Sequence, residues 1–413
     1  MFWKYLQMYR GILLCSLVSL GIGIIAGMID AVFGRTLLWI TDFRMAHALL
    51  LVPFLPLGGL LILWMYKRFS QESFKGMSLV FEAGFGFRDR IPAVLIPLVM
   101  VSTWITHLFG GSAGREGVAV QLGATVANAF SRRIDLPNGP RIFLIAGMAA
   151  GFAGLFQTPL AATFFAMEVL VAGSLQYEAL LPAITAAYAA SYTSHWFGLE
   201  KFTVKLSEAM IVEPSTILKL IAAGIAFGIV GGLFAHFLDI SKNRFSTLIK
   251  DPFKKIAFMG CVLAVLLLGF QVGRYGGLGT NLILASFSGE MIYSYDWLLK
   301  LALTVLTLSA GYQGGEVTPL FAIGASLGVV LAKLLGLPVM LTAALGYAAV
   351  FGSATNTLLA PILIGAEVFG SSNVVYFAAV CSLAYVFNGN RTIYSKQKKF
   401  NYFDGQASGE EDQ

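Results

Sequence analysis

GGSAGREGVAVQLG, residues 110–123, sets Arg115 beside Glu116 in a stretch otherwise built of small and apolar residues. Five glycines loosen the backbone around the pair, and long hydrophobic runs flank it. A helix that starts inside an apolar segment leaves up to four backbone N–H groups unpartnered and carries about half a positive charge at that end. Lipid satisfies none of those donors, whereas a small anion does. Residues 114–118 have the form of such a start, as do Gly76-Met77-Ser78-Leu79-Val80 and Gly314-Gly315-Glu316-Val317-Thr318-Pro319. Pro319 suits a first turn, where its missing N–H costs nothing. Three starts aimed at one point make an anion site without a lysine. Glu116 then has a role: its carboxylate occupies the anion's place as a tethered mimic and, once protonated, leaves it. The competing reading is a buried Arg115–Glu116 pair that only holds helices together, which adjacent spacing on a helix disfavours.

Beyond this stretch the chain repeats itself. Residues 146–169, AGMAAGFAGLFQTPLAATFFAMEV, align with 345–368, LGYAAVFGSATNTLLAPILIGAEV, at a constant offset of 199, as from Gly147 to Gly346. Just upstream, REGVAVQLGA (115–124) aligns with EVTPLFAIGA (316–325) at an offset of 201. Each copy has a glycine-rich start, a short apolar helix, a second helix and a glutamate near its end, Glu168 or Glu367. Membrane proteins with interrupted helices in two matching copies are typically transporters, with the site near the midplane between them. We expect a first repeat over 1–200, a second over 201–400 and a polar, disordered tail over 401–413.

Composition sets the same frame. Charged residues are 12% of the 413, against about 25% in an average soluble chain, and apolar residues reach 57%. Mean hydropathy is +0.77. The charged surface of a soluble protein is missing, so the chain is read as an all-α integral membrane protein. Apolar runs fall at 11–29, 48–65, 91–107, 216–239, 256–271, 297–310 and 320–350. Several are shorter than the ~20 residues a simple span needs, and many hold Gly or Pro, which predicts tilted, broken and re-entrant helices. The first run is too long for a cleaved signal peptide.

The net charge of +6 is clustered around Lys67/Arg68/Lys75, Arg132/Arg133/Arg141, Lys242–Lys255 and Arg391–Lys399. This pattern is read as positive-inside topology with a cytoplasmic C-terminus, not as nucleic-acid binding. Cys15, Cys261 and Cys381 lie far apart in apolar runs and are expected to be buried small hydrophobes. The four histidines are scattered without a metal-ligand spacing, so no metal and no cofactor is expected.

These residues resemble the chloride channel/transporter (CLC) family over nearly the whole chain. GREGV with VQLGA resembles the family's GREGP motif, and GYQGGEVTPLFAIG (311–324) its GGxFxP segment. FKGMSLVFE (74–82) sits where GSGIP belongs, and GMAAGFAGLFQTPLAATFFAME (147–168) matches the helix pair after GREGP. GGLGTNLI (276–283) and Tyr394 also fall in family positions. The resemblance implies a homodimer of two-inverted-repeat subunits, one ion pathway in each, with no regulatory domain after Tyr394.

The departures narrow it. Met77 replaces the central serine of GSGIP, Val317 replaces the phenylalanine of GGxFxP, and Glu316 and Thr318 flank it. Val169 stands where chloride/proton antiporters carry an inner proton-transfer glutamate. This set resembles the fluoride-exporting branch, fluoride/proton antiporters of bacterial inner membranes. The resemblance then implies Glu116 as gate and proton carrier. It implies Glu316 and Thr318 for coupling and anion contact, and Met77, Val80, Gly117, Val317 and Tyr394 at the anion site. A protonated second carboxyl and the Thr318 hydroxyl are donors suited to small, strongly hydrated fluoride.

Other readings stay open from sequence alone. Within the family these are chloride/proton exchange or a passive anion channel. Outside it, Gly110-Gly111-Ser112-Ala113-Gly114 fits G-x-S-x-G, with Ser112 as nucleophile and His107 or His195 as base of a membrane hydrolase. Glu168 is either on the inner proton path or a structural cap. His107 is either a proton relay or a satisfied histidine at a helix end. Tyr394 is either a pore contact or an interfacial aromatic anchor. Arg115 has no role that the sequence supplies.

Overall fold

The computed structural model describes residues 2–132, 138–206, 213–400 and 407–408. Its helices are α1 (Phe2–Ala46), α2 (Ala48–Leu51), α3 (Leu55–Phe69), α4 (Met77–Gly84), α5 (Leu95–Leu108), α6 (Glu116–Ser131), α7 (Gly139–Phe156), α8 (Pro159–Glu168) and α9 (Leu180–Trp196). They continue as α10 (Pro214–Leu248), α11 (Pro252–Gly269), α12 (Thr280–Ser288), α13 (Asp296–Ala310), α14 (Val317–Leu335), α15 (Val339–Thr355), α16 (Leu359–Phe369) and α17 (Val374–Val386). Two-residue strands β1 (Lys399–Phe400) and β2 (Ala407–Ser408) make the one sheet among the described residues. The rest of the expected tail, and Arg133 of the second basic cluster, lie outside the described residues.

Among the described residues six segments are long and apolar enough to cross a membrane: Tyr9–Ala46, Ala48–Phe69, Gly139–Phe156, Pro214–Leu248, Pro252–Gly269 and Val317–Leu335. Between them stand helices too short for the ~30 Å hydrocarbon core, such as the eight-residue α4 and the ten-residue α8. Protein covers them: all but two residues of α8 are buried. That is the condition under which broken helices are tolerated at membrane depth.

The architecture is that of a membrane protein of two inverted repeats, and the sequence matches have structural counterparts. α6 and α7 approach so closely at Gly123 and Gly147 that a Cβ on Gly123 would stand 2.0 Å from the Gly147 carbonyl oxygen. Their counterparts α14 and α15 do the same, with 2.1 Å from Gly324 to the Gly346 oxygen. α7 ends at Gln157 (φ 57°, ψ 38°) and α15 at Asn356 (φ 54°, ψ 47°), both left-handed although neither is glycine. Each such residue halts one helix and lets a short apolar helix, α8 or α16, begin two or three residues later.

Three details depart from the sequence reading. The run at 320–350 is two helices, because Gly336 (φ 64°) ends α14 and Pro338 precedes α15. The run at 11–29 belongs to a 45-residue helix that continues through Arg35 and Arg44. Arg35 is tolerated there because its Nη1 donates to the Phe197 carbonyl at 2.9 Å. Cys15 and Cys381 are buried as expected, but Cys261 is exposed on α11, where a thiol facing lipid costs little.

Candidate functional site

The glycine-rich starts of α6 and α14 meet. Gly114 and Gly315 form an antiparallel bridge, Gly114 N donating to Gly315 O at 2.5 Å and Gly315 N to Gly114 O at 2.8 Å. Only glycine permits the approach: a Cβ on Gly114 would lie 2.8 Å from Pro319 Cδ, and one on Gly315 would lie 2.9 Å from Gly117 N. Past the bridge, Arg115 (φ −132°, ψ −23°) is the N-cap of α6 and Glu316 (φ −100°, ψ −21°) the N-cap of α14. The two helices therefore begin side by side, with the N–H groups that lack intrahelical partners close together.

Glu116 is fully buried and reaches across the seam. Its Oε2 accepts from Thr318 N at 3.0 Å, and Thr318 Oγ1 donates to Oε1 at 2.7 Å. A weaker contact runs from Arg115 N to Oε2 at 3.3 Å. The carboxylate thus caps the helix of the other repeat, where the aligned peptide dipoles favour negative charge. Glu316 lies opposite: a Cβ on Gly117 would stand 3.5 Å from its Oε2. Each helix start is faced by a carboxylate from its counterpart.

Arg115 does approach its neighbour, Nε standing 3.7 Å from Glu116 Oε1. The spacing argument against this pair fails because Arg115 precedes the helix, with a backbone conformation that helical facing rules do not govern. Its Nε and Nη1 have no hydrogen-bond partner, so the contact is ionic only.

A cavity of about 330 Å³ leads to this seam. Met77, Gln121, Glu316 and Tyr394 line it, together with Lys75, Lys242, Lys255 and Lys396. Four cationic side chains around the cavity raise the local concentration of anions. Met77 opens α4 beside Gly76, whose φ of 54° turns the chain into the helix. Tyr394 is buried, with its ring 5.4 Å from that of Phe81, and lies within electrostatic reach of Glu316 and Glu116. That placement excludes the interfacial-anchor reading.

Val80 and Val317 are buried in the apolar core and do not line the cavity. The structure also adds residues the sequence reading passed over. Gln121 donates from Nε2 to Gly117 O at 3.2 Å and leaves Oε1 unpartnered beside Gly76. Its signal was present, since it is an amide in an apolar helix one turn past the motif. Tyr347 stacks on Phe321 at 4.0 Å, within electrostatic reach of Glu116 and Arg115.

Glu168 and Glu367 cap each other's repeat. Glu168 accepts from the N–H groups of Leu358, Leu359 and Ala360 at 3.2, 3.1 and 2.9 Å. Glu367 accepts from Leu160 and Ala161 at 3.2 and 2.8 Å. The first turn of α16 is thus held by α8, and that of α8 by α16. With both oxygens so engaged, we expect Glu168→Gln to lower stability by about 1–3 kcal/mol. The fluoride-coupled proton movement that the sequence resemblance implies should persist. Thermal unfolding in detergent and proton uptake in proteoliposomes test this; loss of coupling at unchanged stability would put Glu168 on the proton path instead.

The hydrolase reading finds no support. Ser112 is buried on a loop between two helices, not at the strand–turn–helix the motif requires. Its Oγ is engaged by Lys300 Nζ at 2.9 Å and Thr304 Oγ1 at 2.8 Å. Both ring nitrogens of His107 are engaged by backbone carbonyls, Nδ1 2.8 Å from Thr103 O and Nε2 3.0 Å from Ala113 O, and His195 is exposed at the end of α9.

Fold and site together define a class, a multi-pass membrane protein whose two repeats close on a buried carboxylate at paired helix starts. A sequence model of the family described as "Voltage gated chloride channel" matches residues 58–389. A chloride/fluoride channel protein of Pseudomonas syringae pv. tomato is 36% identical over 356 residues, covering 84% of this chain and 78% of that one. The crystal structure of a CLC-type fluoride/proton antiporter superimposes with a TM-score of 0.92 at 53% identity, covering 94% of this chain and 98% of that one. A slow cyanobacterial Cl-/H+ antiporter shares the fold, with a TM-score of 0.79 at 20% identity over 91% and 94% of the chains. The chain belongs to the voltage-gated chloride channel (CLC) family.

Proposed function

We propose that the protein is a fluoride/proton antiporter that exports fluoride across a bacterial inner membrane, driven by the proton gradient. One observation carries the reading: Glu116 occupies the N-terminal donors of α14 through Thr318. A carboxylate bound where an anion would bind competes with that anion, and protonation removes its claim to the donors. Likeness to a solved fluoride/proton antiporter supports fluoride as the ion. Glu316, beside Gly117 and on the cavity wall, is a second carboxyl at the same place. Met77, Gly117, Thr318 and Tyr394 surround the anion's path in this reading, with Val80 and Val317 packing behind them. The repeats are residues 1–200 and 201–400, the assembly is a homodimer, and the basic C-terminal cluster lies in the cytoplasm.

Proteoliposomes loaded with fluoride are expected to release it while taking up protons, and chloride loading to give far slower efflux. An ion-selective electrode and an external pH electrode report both. Fast chloride efflux would mark a chloride exchanger, and fluoride release without proton uptake a channel.

A further inference from the structure

Behind the paired starts, against the loop that leads into α6, lies a pair of buried cations. Arg44, in the last turn of α1, is only 2% exposed, yet its Nε and Nη1 have no hydrogen-bond partner. Its guanidinium lies over the Gly276–Gly277 backbone: a Cβ on Gly276 would stand 2.7 Å from Nη1, and one on Gly277 2.8 Å from Nη2. Lys300 on α13 is fully buried. Its Nζ donates to Gly277 O at 2.7 Å, Ser112 Oγ at 2.9 Å and Tyr275 O at 3.2 Å. Gly277 touches both cations, which lie within electrostatic reach of each other.

Among the described residues no counter-charge accompanies them, and neither Arg44 nor Lys300 makes an ion pair. Asp296, one turn from Lys300, is consumed elsewhere. It accepts from Arg274 at 2.5 and 3.1 Å, from Tyr275 Oη at 2.6 Å and from Tyr293 N at 2.9 Å. The C-terminal dipole of α1 offers about half a negative charge to the full charge of the Arg44 guanidinium. A guanidinium cannot shed its charge when buried and needs a partner, and ionisable groups at membrane depth mark ion paths.

The cluster is distinct from the lysine-lined cavity. Leu308 and Ser309 of α13 line that cavity, and Lys300 lies eight residues before Leu308 on the same helix, about 12 Å away at ~1.5 Å per residue. It is instead tied to the Glu116 loop, through Ser112 and through Gly277 N donating to Gly111 O at 3.1 Å.

We infer that Arg44 and Lys300 form a second site for a small monovalent anion, on the far side of Glu116 from the cavity. The anion supplies the missing counter-charge and takes the free guanidinium donors of Arg44. It waits there before leaving, or before Glu116 returns. The inference rests on the anion-transport reading.

Sodium fluoride titrated calorimetrically into the detergent-solubilised full chain tests it. Arg44→Gln and Lys300→Met are each expected to bind one fluoride fewer per subunit than the unsubstituted protein. Arg44→Lys should keep it, and Thr318→Val should lose a different one, so that Arg44→Gln/Thr318→Val loses both. Unchanged stoichiometry in Arg44→Gln overturns the site. So does failure of both Arg44→Gln and Lys300→Met to fold, which would mark the cations as structural. If the unsubstituted protein moves fluoride in proteoliposomes but Arg44→Gln binds normally, only this site fails; if it moves no fluoride, the transport reading fails with it.

Discussion

Glu116→Gln is expected to abolish fluoride-coupled proton movement. The substitution keeps the shape of the side chain and leaves one oxygen to accept from Thr318, so the seam between α6 and α14 stays closed. What is lost is a titratable group at the only carboxylate that bonds to Thr318 among the described residues. An amide neither carries a proton through the seam nor competes with an anion as a negative charge. Proton uptake during fluoride efflux, followed with an external pH electrode, should fall to that of empty vesicles. Retained proton uptake in a well-folded Glu116→Gln would move the carrier role elsewhere, with Glu316 the first candidate because it faces Gly117 from the same cavity.

Gly324→Ala should prevent a stable fold. A Cβ there would stand 2.1 Å from the Gly346 carbonyl oxygen and 2.6 Å from its carbon. Those are backbone atoms of a packed helix, so no rotamer change relieves the clash and α14 and α15 must separate. Overpacking typically costs about 1–3 kcal/mol even where flexible side chains absorb it, and here the strain moves the helix that carries Thr318. Gly123→Ala meets the same obstacle at Gly147. Gly21→Ala is the control, since nothing lies within 4 Å of its added methyl and alanine favours the helix. Size-exclusion profiles and thermal midpoints in detergent compare the three. A monodisperse Gly324→Ala with a midpoint near that of Gly21→Ala would show the helices are less tightly set than their backbones indicate.

The frame of the fold was legible because its determinants are local. The glycine-flanked start at Gly114–Glu116 is a helix start, and the 199-residue offset aligns the left-handed ends at Gln157 and Asn356. Glu116 could be singled out as a lone buried carboxylate at that start. Its partner could not, because the contact with Thr318 joins two repeats and depends on how they dock. The same limit hid the pairing of Glu168 with α16 and of Glu367 with α8. Val80 and Val317 were placed at the anion path from motif position alone. Which way a side chain points in an eight-residue helix such as α4 is set by its neighbours, and both valines turn into the core. Arg44 and Lys300 meet at Gly277 from helices far apart in the chain, so no short-range pattern announces them.

The bridge between Gly114 and Gly315 is made of main chain alone, and its two residues correspond across the repeats. A clasp without side chains places no demand on the identity of its neighbours, so the adjoining positions were free to diverge. One repeat continues Arg115-Glu116-Gly117 and the other Glu316-Val317-Thr318. Near-twofold geometry offers two matching berths, but the Glu116 position of the second repeat is a valine, while Thr318 faces the gap where the first repeat has only Gly117. Matched halves thereby yield a mismatched centre, in which a buried acid on one arm answers to a hydroxyl on the other.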